Sequence, residues 1–194
     1  AVVLRVETGG GSSLAADVLL REASLTARRK PLIVSMGGAA ASGGYYASVA
    51  GHRLFANPST VTGSIGVFFG KADVSPLLSK LGVGLDLFRT SPRADAESLL
   101  RPFSEEERAA LGDKVKQSYD LFVGRVAEGR KLSPEAVDAV GRGRVWTGAQ
   151  AKDRGLVDSL GGLRQALEEA QARAGLQDEP ELLELPEQNP TLLD

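Results

Sequence analysis

The run PLIVSMGGAAASGGYY, from Pro31 to Tyr46, decides how this chain is read. Leu32-Ile33-Val34 is a short continuous apolar stretch bounded by turn residues, the pattern of a buried strand. Gly37-Gly38 reads as its end. Small residues follow, and Ser42 then stands at the head of a helix that carries Gly43, Gly44, Tyr45 and Tyr46 and runs to about Gly51. Such a strand–turn–serine–helix suits a nucleophile. Small neighbours let a substrate backbone approach Ser42, the Gly43 amide points to where an oxyanion would form, and the helix dipole favours negative charge there. The same pattern also fits a serine that only caps a helix packed tightly on its sheet.

Outward from this run, short apolar segments alternate with helical ones, which argues for an α/β domain with a largely parallel sheet. Ala1–Val6 reads as a buried strand, and Ser12 or Ser13 caps a helix to about Arg28. Arg53–Ala56, Ile65–Phe69 and Val83–Phe88 read as strands, and Val74–Leu81 as a helix. Thr90–Pro102 lacks periodicity and reads as an irregular loop. Ser104-Glu105-Glu106-Glu107 is a capping box for a long helix to about Arg130. Ser133-Pro134-Glu135 and Thr147-Gly148-Ala149-Gln150 start two short helices, and Leu163–Ala174 is a last amphipathic one. The reading divides the chain into a domain over 1–175 and an acidic tail over 176–194, with a strand at Glu181–Leu185.

Composition narrows the function. The 194 residues hold 23 basic and 25 acidic side chains, a formal net charge of 23 − 25 = −2, which gives no support for a nucleic-acid partner. With no cysteine there is no disulfide framework, thiolate zinc site or cysteine nucleophile. His52 is the only histidine, so a Ser-His-Asp triad would have to run through it. No metal or other cofactor is implied. The only methionine is Met36, and the chain opens inside the apolar run Ala1-Val2-Val3-Leu4, which reads as a piece of something longer.

A second glycine-rich turn, Thr8-Gly9-Gly10-Gly11-Ser12-Ser13, follows the first strand. Its amides could bind an anion, although it lacks the Lys-Ser/Thr of a P-loop and the spacing of a dinucleotide fingerprint. Alone it is a tight turn; beside Ser42 it is the second loop at a strand C-terminal end, where parallel sheets build their sites.

Four blocks in order, LRVETGGGSS (Leu4–Ser13), PLIVSMGGAAASGGYYAS (Pro31–Ser48), FANPSTVTGSIGV (Phe55–Val67) and GRVWTGAQAKDRGLVDSLGG (Gly143–Gly162), resemble the signal peptide peptidase A family of serine peptidases. The resemblance implies a Clp protease/crotonase-like fold: a twisted, largely parallel sheet flanked by helices, assembling into homo-oligomeric rings. It implies a Ser/Lys dyad that cleaves leftover signal peptides and other hydrophobic peptides, at a bacterial cell envelope, with membrane association through a segment outside this chain. Carried over by position, Ser42 would be the nucleophile, Gly43 one oxyanion donor and Gly10 or Gly11 the other. Ser64 would orient the lysine; without the resemblance it reads as a turn serine. His52 matches no catalytic position and reads as a surface residue.

The lysine is the difficulty. Short family members carry it in the loop that corresponds here to Arg89–Asp95, at the position of Ala94, and no lysine lies between Lys80 and Lys114. Arg89 and Arg93 cannot replace it, because guanidinium stays protonated. Lys71 is the nearest candidate upstream but fits no family base. Three explanations stand: the lysine comes from an N-terminal half of a long-form member or from a neighbouring subunit, Ala94 replaces an original lysine, or the chain is not a peptidase. The loop Ser91-Pro92-Arg93-Ala94-Asp95 matches the lysine-free loop of C-terminal halves. A scaffold without catalysis and acyl-CoA chemistry on the crotonase fold are the rival readings. Ala39–Ala41 and Ile65–Phe69 suggest a pocket for small or hydrophobic side chains.

Overall fold

The computed structural model describes residues 1–178 and 180–186. Among them, six strands form one sheet: β1 (Val2–Thr8), β2 (Leu32–Ala41), β3 (Arg53–Ala56), β4 (Val61–Gly63), β5 (Val145–Thr147) and β6 (Ser159–Leu160). β2 is its centre. Ile33–Ser35 pair with β3 and Ala39–Ala41 with β4, while β1 accompanies both halves, all in parallel; only β4 and β5 are antiparallel. Seven helices, α1 (Ser13–Ala27), α2 (Gly43–Ser48), α3 (Ser75–Lys80), α4 (Glu105–Arg130), α5 (Pro134–Val140), α6 (Gly148–Asp153) and α7 (Leu163–Ala174), complete the described elements.

Period-2 alternation along the strands gives each face its own cover. Val34, Met36, Leu54 and Ala56 pack against Leu20 of α1, Tyr45 of α2 and Phe122 and Val126 of α4. Ile33 and Phe55 point the other way, onto Ala166 and Ala170 of α7. The capping boxes at Ser104/Glu107 and Thr147/Gln150 both form, as their spacing predicts. Within the larger core Tyr45 is fully buried, and its hydroxyl donates to the Leu156 carbonyl at 2.8 Å. Tyr45→Phe leaves that carbonyl unpaired, and chemical denaturation should show a loss of about 1–3 kcal/mol.

Four expectations are corrected. The strand that was to end at Gly37-Gly38 runs on to Ala41, so Ser42 follows it with no intervening loop. The register explains why: Val6 faces Met36 but Thr8 faces Ala40, so two extra residues bulge opposite Glu7. The Glu7 carboxylate fills the bulge, accepting from the N–H groups of Gly38 (2.9 Å) and Ala39 (3.1 Å), and these bonds lower its pKa. A β-carbon on Gly37 would sit 1.5 Å from that carboxylate, so a larger residue there would displace Glu7 from the bulge.

Ile65–Phe69 is no strand; the pairing falls earlier, on Val61–Gly63, and the left-handed Ser64 turns the chain out of the sheet. Val83–Phe88 has no strand partner and carries exposed apolar side chains, with Phe88 97% accessible. Glu181–Leu185 forms no strand either. The two short strands β5 and β6 were not foreseen. The loop over Thr90–Pro102 is irregular, as expected, and α7 ends at the left-handed Gly175. Of the expected tail over 176–194, residues 179 and 187–194 lie outside the described residues.

Candidate active site

Ser42 sits at a sharp strand-to-helix elbow. Its φ of 50° and ψ of −117° are unusual for a residue with a β-carbon. The surroundings hold it there: its N–H donates to Gly63 at 2.9 Å and its carbonyl accepts from Tyr46 at 2.8 Å. The hydroxyl makes no capping bond to α2, so the capping explanation for this serine fails on geometry. Its neighbours must be small. A β-carbon on Gly44 would meet Thr8 Cγ2 at 2.7 Å, and one on Gly43 would come within 3.4 Å of the Gly11 nitrogen.

The Gly9–Gly11 turn lies directly against this elbow. Gly10 has φ +112°, and a β-carbon there would stand 2.7 Å from Ser42 Cβ and 2.9 Å from the Gly43 nitrogen. Its own N–H is taken, donating to Thr8 Oγ1 at 3.1 Å. Among the described residues the N–H groups of Gly11 and Gly43 have no acceptor. Two uncommitted amides, those of Gly11 and Gly43, therefore lie at this elbow.

Ser42 and Ser64 open onto one cleft of about 750 Å³. Gly9 and Gly11 form one wall, Gly66, Val67 and Phe68 a second, and Val115, Lys116 and Tyr119 of α4 a third. Ser64 is left-handed (φ 49°) and is fixed through its N–H, which donates to Arg144 at 2.8 Å. The expected apolar pocket is only partly realised. Ala40, Ala41 and Ile65 are buried in the core, and the apolar lining comes from Val67, Phe68 and Val115.

Among the described residues no lysine stands ready as a base. Lys116 is the only lysine among the described residues on the cleft, and its ammonium is exposed and paired with Asp120 at 2.5 Å, which raises its pKa. Lys71 is elsewhere: Nζ donates to the carbonyls of Ala96 (2.6 Å) and Ser98 (2.8 Å) and lies over the Phe103 ring. Ala94 is exposed and does not line the cleft. His52 is an exposed residue whose Nδ1 accepts from the Leu32 N–H at 3.1 Å, outside the cleft.

The charges around Ala94 build a device that sequence reasoning missed. Arg101 donates to both oxygens of Asp95 (2.9 and 2.8 Å) and both of Glu107 (2.7 and 2.6 Å). It thus ties the lysine-free loop to the first turn of α4. Arg101 holds the Asp95 carboxyl at about 2, and Arg101 with the Ser104 N–H holds Glu107 at about 2. Both lie below ordinary carboxylate values, so their contribution is complete above about pH 4.5 and is lost as pH falls through about 2. With rates normalised to pepsin's cleavage of an unfolded peptide at each pH, cleavage within 90–102 should be low above about pH 4.5 and rise progressively toward about pH 2; a normalised rate that stays flat over that range would contradict the pairing.

Comparison with known proteins follows the same lines. The profile described as peptidase family S49 matches residues 24–177. Protease 4 of Salmonella typhi is 43% identical over 194 residues, covering 95% of this chain and 31% of that protein. The chloroplastic serine protease SPPA of Arabidopsis thaliana is 36% identical over 179 residues, covering 91% of this chain and 26% of that one. The chain therefore spans under a third of the length of either relative. Among solved structures a ClpP1 mutant from Listeria monocytogenes superposes with a TM-score of 0.54 over 85% of this chain and 75% of its own, at 17% identity. The sheet and its helices thus have the Clp protease fold.

Proposed function

The chain belongs to peptidase family S49, and from that premise we propose that it carries the serine half of a Ser/Lys peptidase site that degrades cleaved signal peptides and other hydrophobic peptides. One observation carries the proposal. The Ser42 hydroxyl is held uncommitted at a strained elbow beside the free amides of Gly11 and Gly43. In this reading Ser42 Oγ attacks the scissile carbonyl as its proton passes to a neutral lysine amine. The N–H groups of Gly43 and Gly11 hold the oxyanion. The lysine returns the proton to the leaving amine, an acyl ester stays on Ser42, and water releases it. Gly10 supports this hole rather than donating to it, since its N–H serves Thr8. Ser64, on the same cleft, orients the lysine.

The lysine comes from outside residues 1–194 in this proposal, from an N-terminal half of the same polypeptide or from a neighbouring subunit of a ring. What supports this is the cleft itself, whose one lysine is paired and pushed toward its charged form. A lysine serves as a base only when neutral. Assembly in a ring and action at a bacterial envelope belong to the same proposal. No helix among the described residues is long and apolar enough to cross a membrane.

The same shortage of a base favours a second reading, in which this domain is a non-catalytic scaffold beside an active partner. Hydrolysis of a small peptide ester separates the two. The complete gene product should turn the ester over and residues 1–194 alone should not. Turnover by neither favours the scaffold, and turnover by this chain alone means that a base lies within it.

A further inference from the structure

Tyr119 of α4 lies on the cleft wall, and its hydroxyl is the meeting point of a network that ends at Ser64. It donates to Asp138 Oδ1 at 2.7 Å and accepts from the Arg142 N–H at 3.1 Å. The other Asp138 oxygen accepts from Arg142 Nε (3.0 Å) and Nη2 (2.5 Å). Arg142 and Gly143 are successive left-handed residues, at φ 57° and 74°. An arginine stays in that region only when its surroundings over-determine it, and here they do: Tyr119 holds its main chain and Asp138 its side chain.

The turn fixed in this way grips the segment that bears Ser64. Gly143 donates to the Ile65 carbonyl at 2.7 Å, and the Ser64 N–H donates to Arg144 at 2.8 Å. Gly66 packs on Gly143 so closely that a β-carbon would lie 2.7 Å from Gly143 Cα. On the other side of Ser64, the Gly63 carbonyl accepts from the Ser42 N–H. A continuous set of short contacts therefore leads from the Tyr119 hydroxyl through the turn to Ser64 and on to the elbow. Tyr119 makes no hydrogen bond to either serine, and its hydrogen bonds reach them through the 141–144 turn.

We propose that Tyr119 is a positioning residue, which sets the Ser64 hydroxyl through this turn. The proposal rests on the reading that Ser64 orients the lysine. Tyr119→Phe removes the acceptor of the Arg142 N–H and the donor to Asp138, and frees the turn to shift. A displacement of about 1 Å at a catalytic group lowers turnover by about ten- to a hundredfold.

The test measures kcat and KM for a peptide ester in the complete gene product, with rates expressed per titrated Ser42 so that loss of folded protein does not enter. Tyr119→Phe should lower kcat about tenfold or more with KM unchanged. It should have no further effect in a Ser64→Ala background, because both act through one hydroxyl. Gly143→Ala supplies the second variant. It has room for a β-carbon but strains the φ +74° backbone, and it should reproduce the kcat loss. An unchanged kcat in both variants, or losses that multiply with Ser64→Ala, overturns the proposal while Ser42→Ala stays inactive. Full turnover in Ser42→Ala or Ser64→Ala overturns the underlying reading of the site, and this proposal with it.

Discussion

Ser42→Ala should abolish turnover by the complete gene product, by at least about 10⁴-fold, while leaving the melting temperature where it was. On the proposed mechanism the loss follows from removing the atom that would form the acyl bond; single nucleophile deletions in serine hydrolases cost this much or more. The unchanged stability follows from the structure, in which the hydroxyl caps nothing. Alanine keeps the β-carbon, so the backbone strain at φ 50° is nearly the same in both proteins. A serine that served only to cap α2 would behave in the opposite way: its loss would cost about 1 kcal/mol of stability and no activity. Paired rate and melting measurements therefore decide between the two roles.

Gly10→Ala should lower kcat/KM by about 10²–10³-fold with a much smaller effect on unfolding. At φ +112° an L side chain is strained, and its β-carbon would press on Ser42 Cβ at 2.7 Å and the Gly43 nitrogen at 2.9 Å. Neither can yield: Ser42 is bonded to Gly63 and Tyr46, and Gly43 opens a helix buried against the sheet. The exposed glycine turn must therefore move, and the Gly11 N–H moves with it. Loss of one oxyanion donor costs about 10²–10³ in rate. Gly124→Ala, with open space around it on α4, is the matched control and should leave turnover unchanged. Equal, small effects of both substitutions would mean that the glycine turn has no part in catalysis.

The features legible in the sequence are the local ones. A capping box needs only residues three positions apart, so Ser104/Glu107 and Thr147/Gln150 are legible in the sequence alone. The central strand and the serine that follows it were legible because apolar and small residues stand in uninterrupted runs. What stayed hidden depends on partners distant in the chain. Gly37-Gly38 looked like a strand end, because the Glu7 carboxylate that fills the bulge comes from 31 residues away. Ile65–Phe69 has a strand's composition, but Arg144 and Gly143 turn its backbone out of the sheet.

The site divides along the same line. Ser42, Gly43 and the glycine turn are named by their own neighbours in sequence. That the Gly10 N–H is committed while the Gly11 N–H is free is not, because it depends on where the Thr8 hydroxyl points. Glu107 reads in the sequence as part of a capping box and Asp95 as the end of the lysine-free loop, and only the fold joins them through Arg101 to anchor the loop around Ala94. Lys71 reads in the sequence as the nearest candidate base upstream of that loop, whereas its ammonium is engaged by two of the loop's carbonyls.

The most direct test of the whole account is to treat the complete gene product, and residues 1–194 alone, with a fluorophosphonate probe and to locate the adduct by peptide mass spectrometry. The account predicts an adduct on Ser42 in the complete product and none on the isolated chain. An adduct on another serine, or an unmodified Ser42 in the complete product, would contradict the assignment of the nucleophile, and rapid labelling of the isolated chain would contradict a base supplied from outside it.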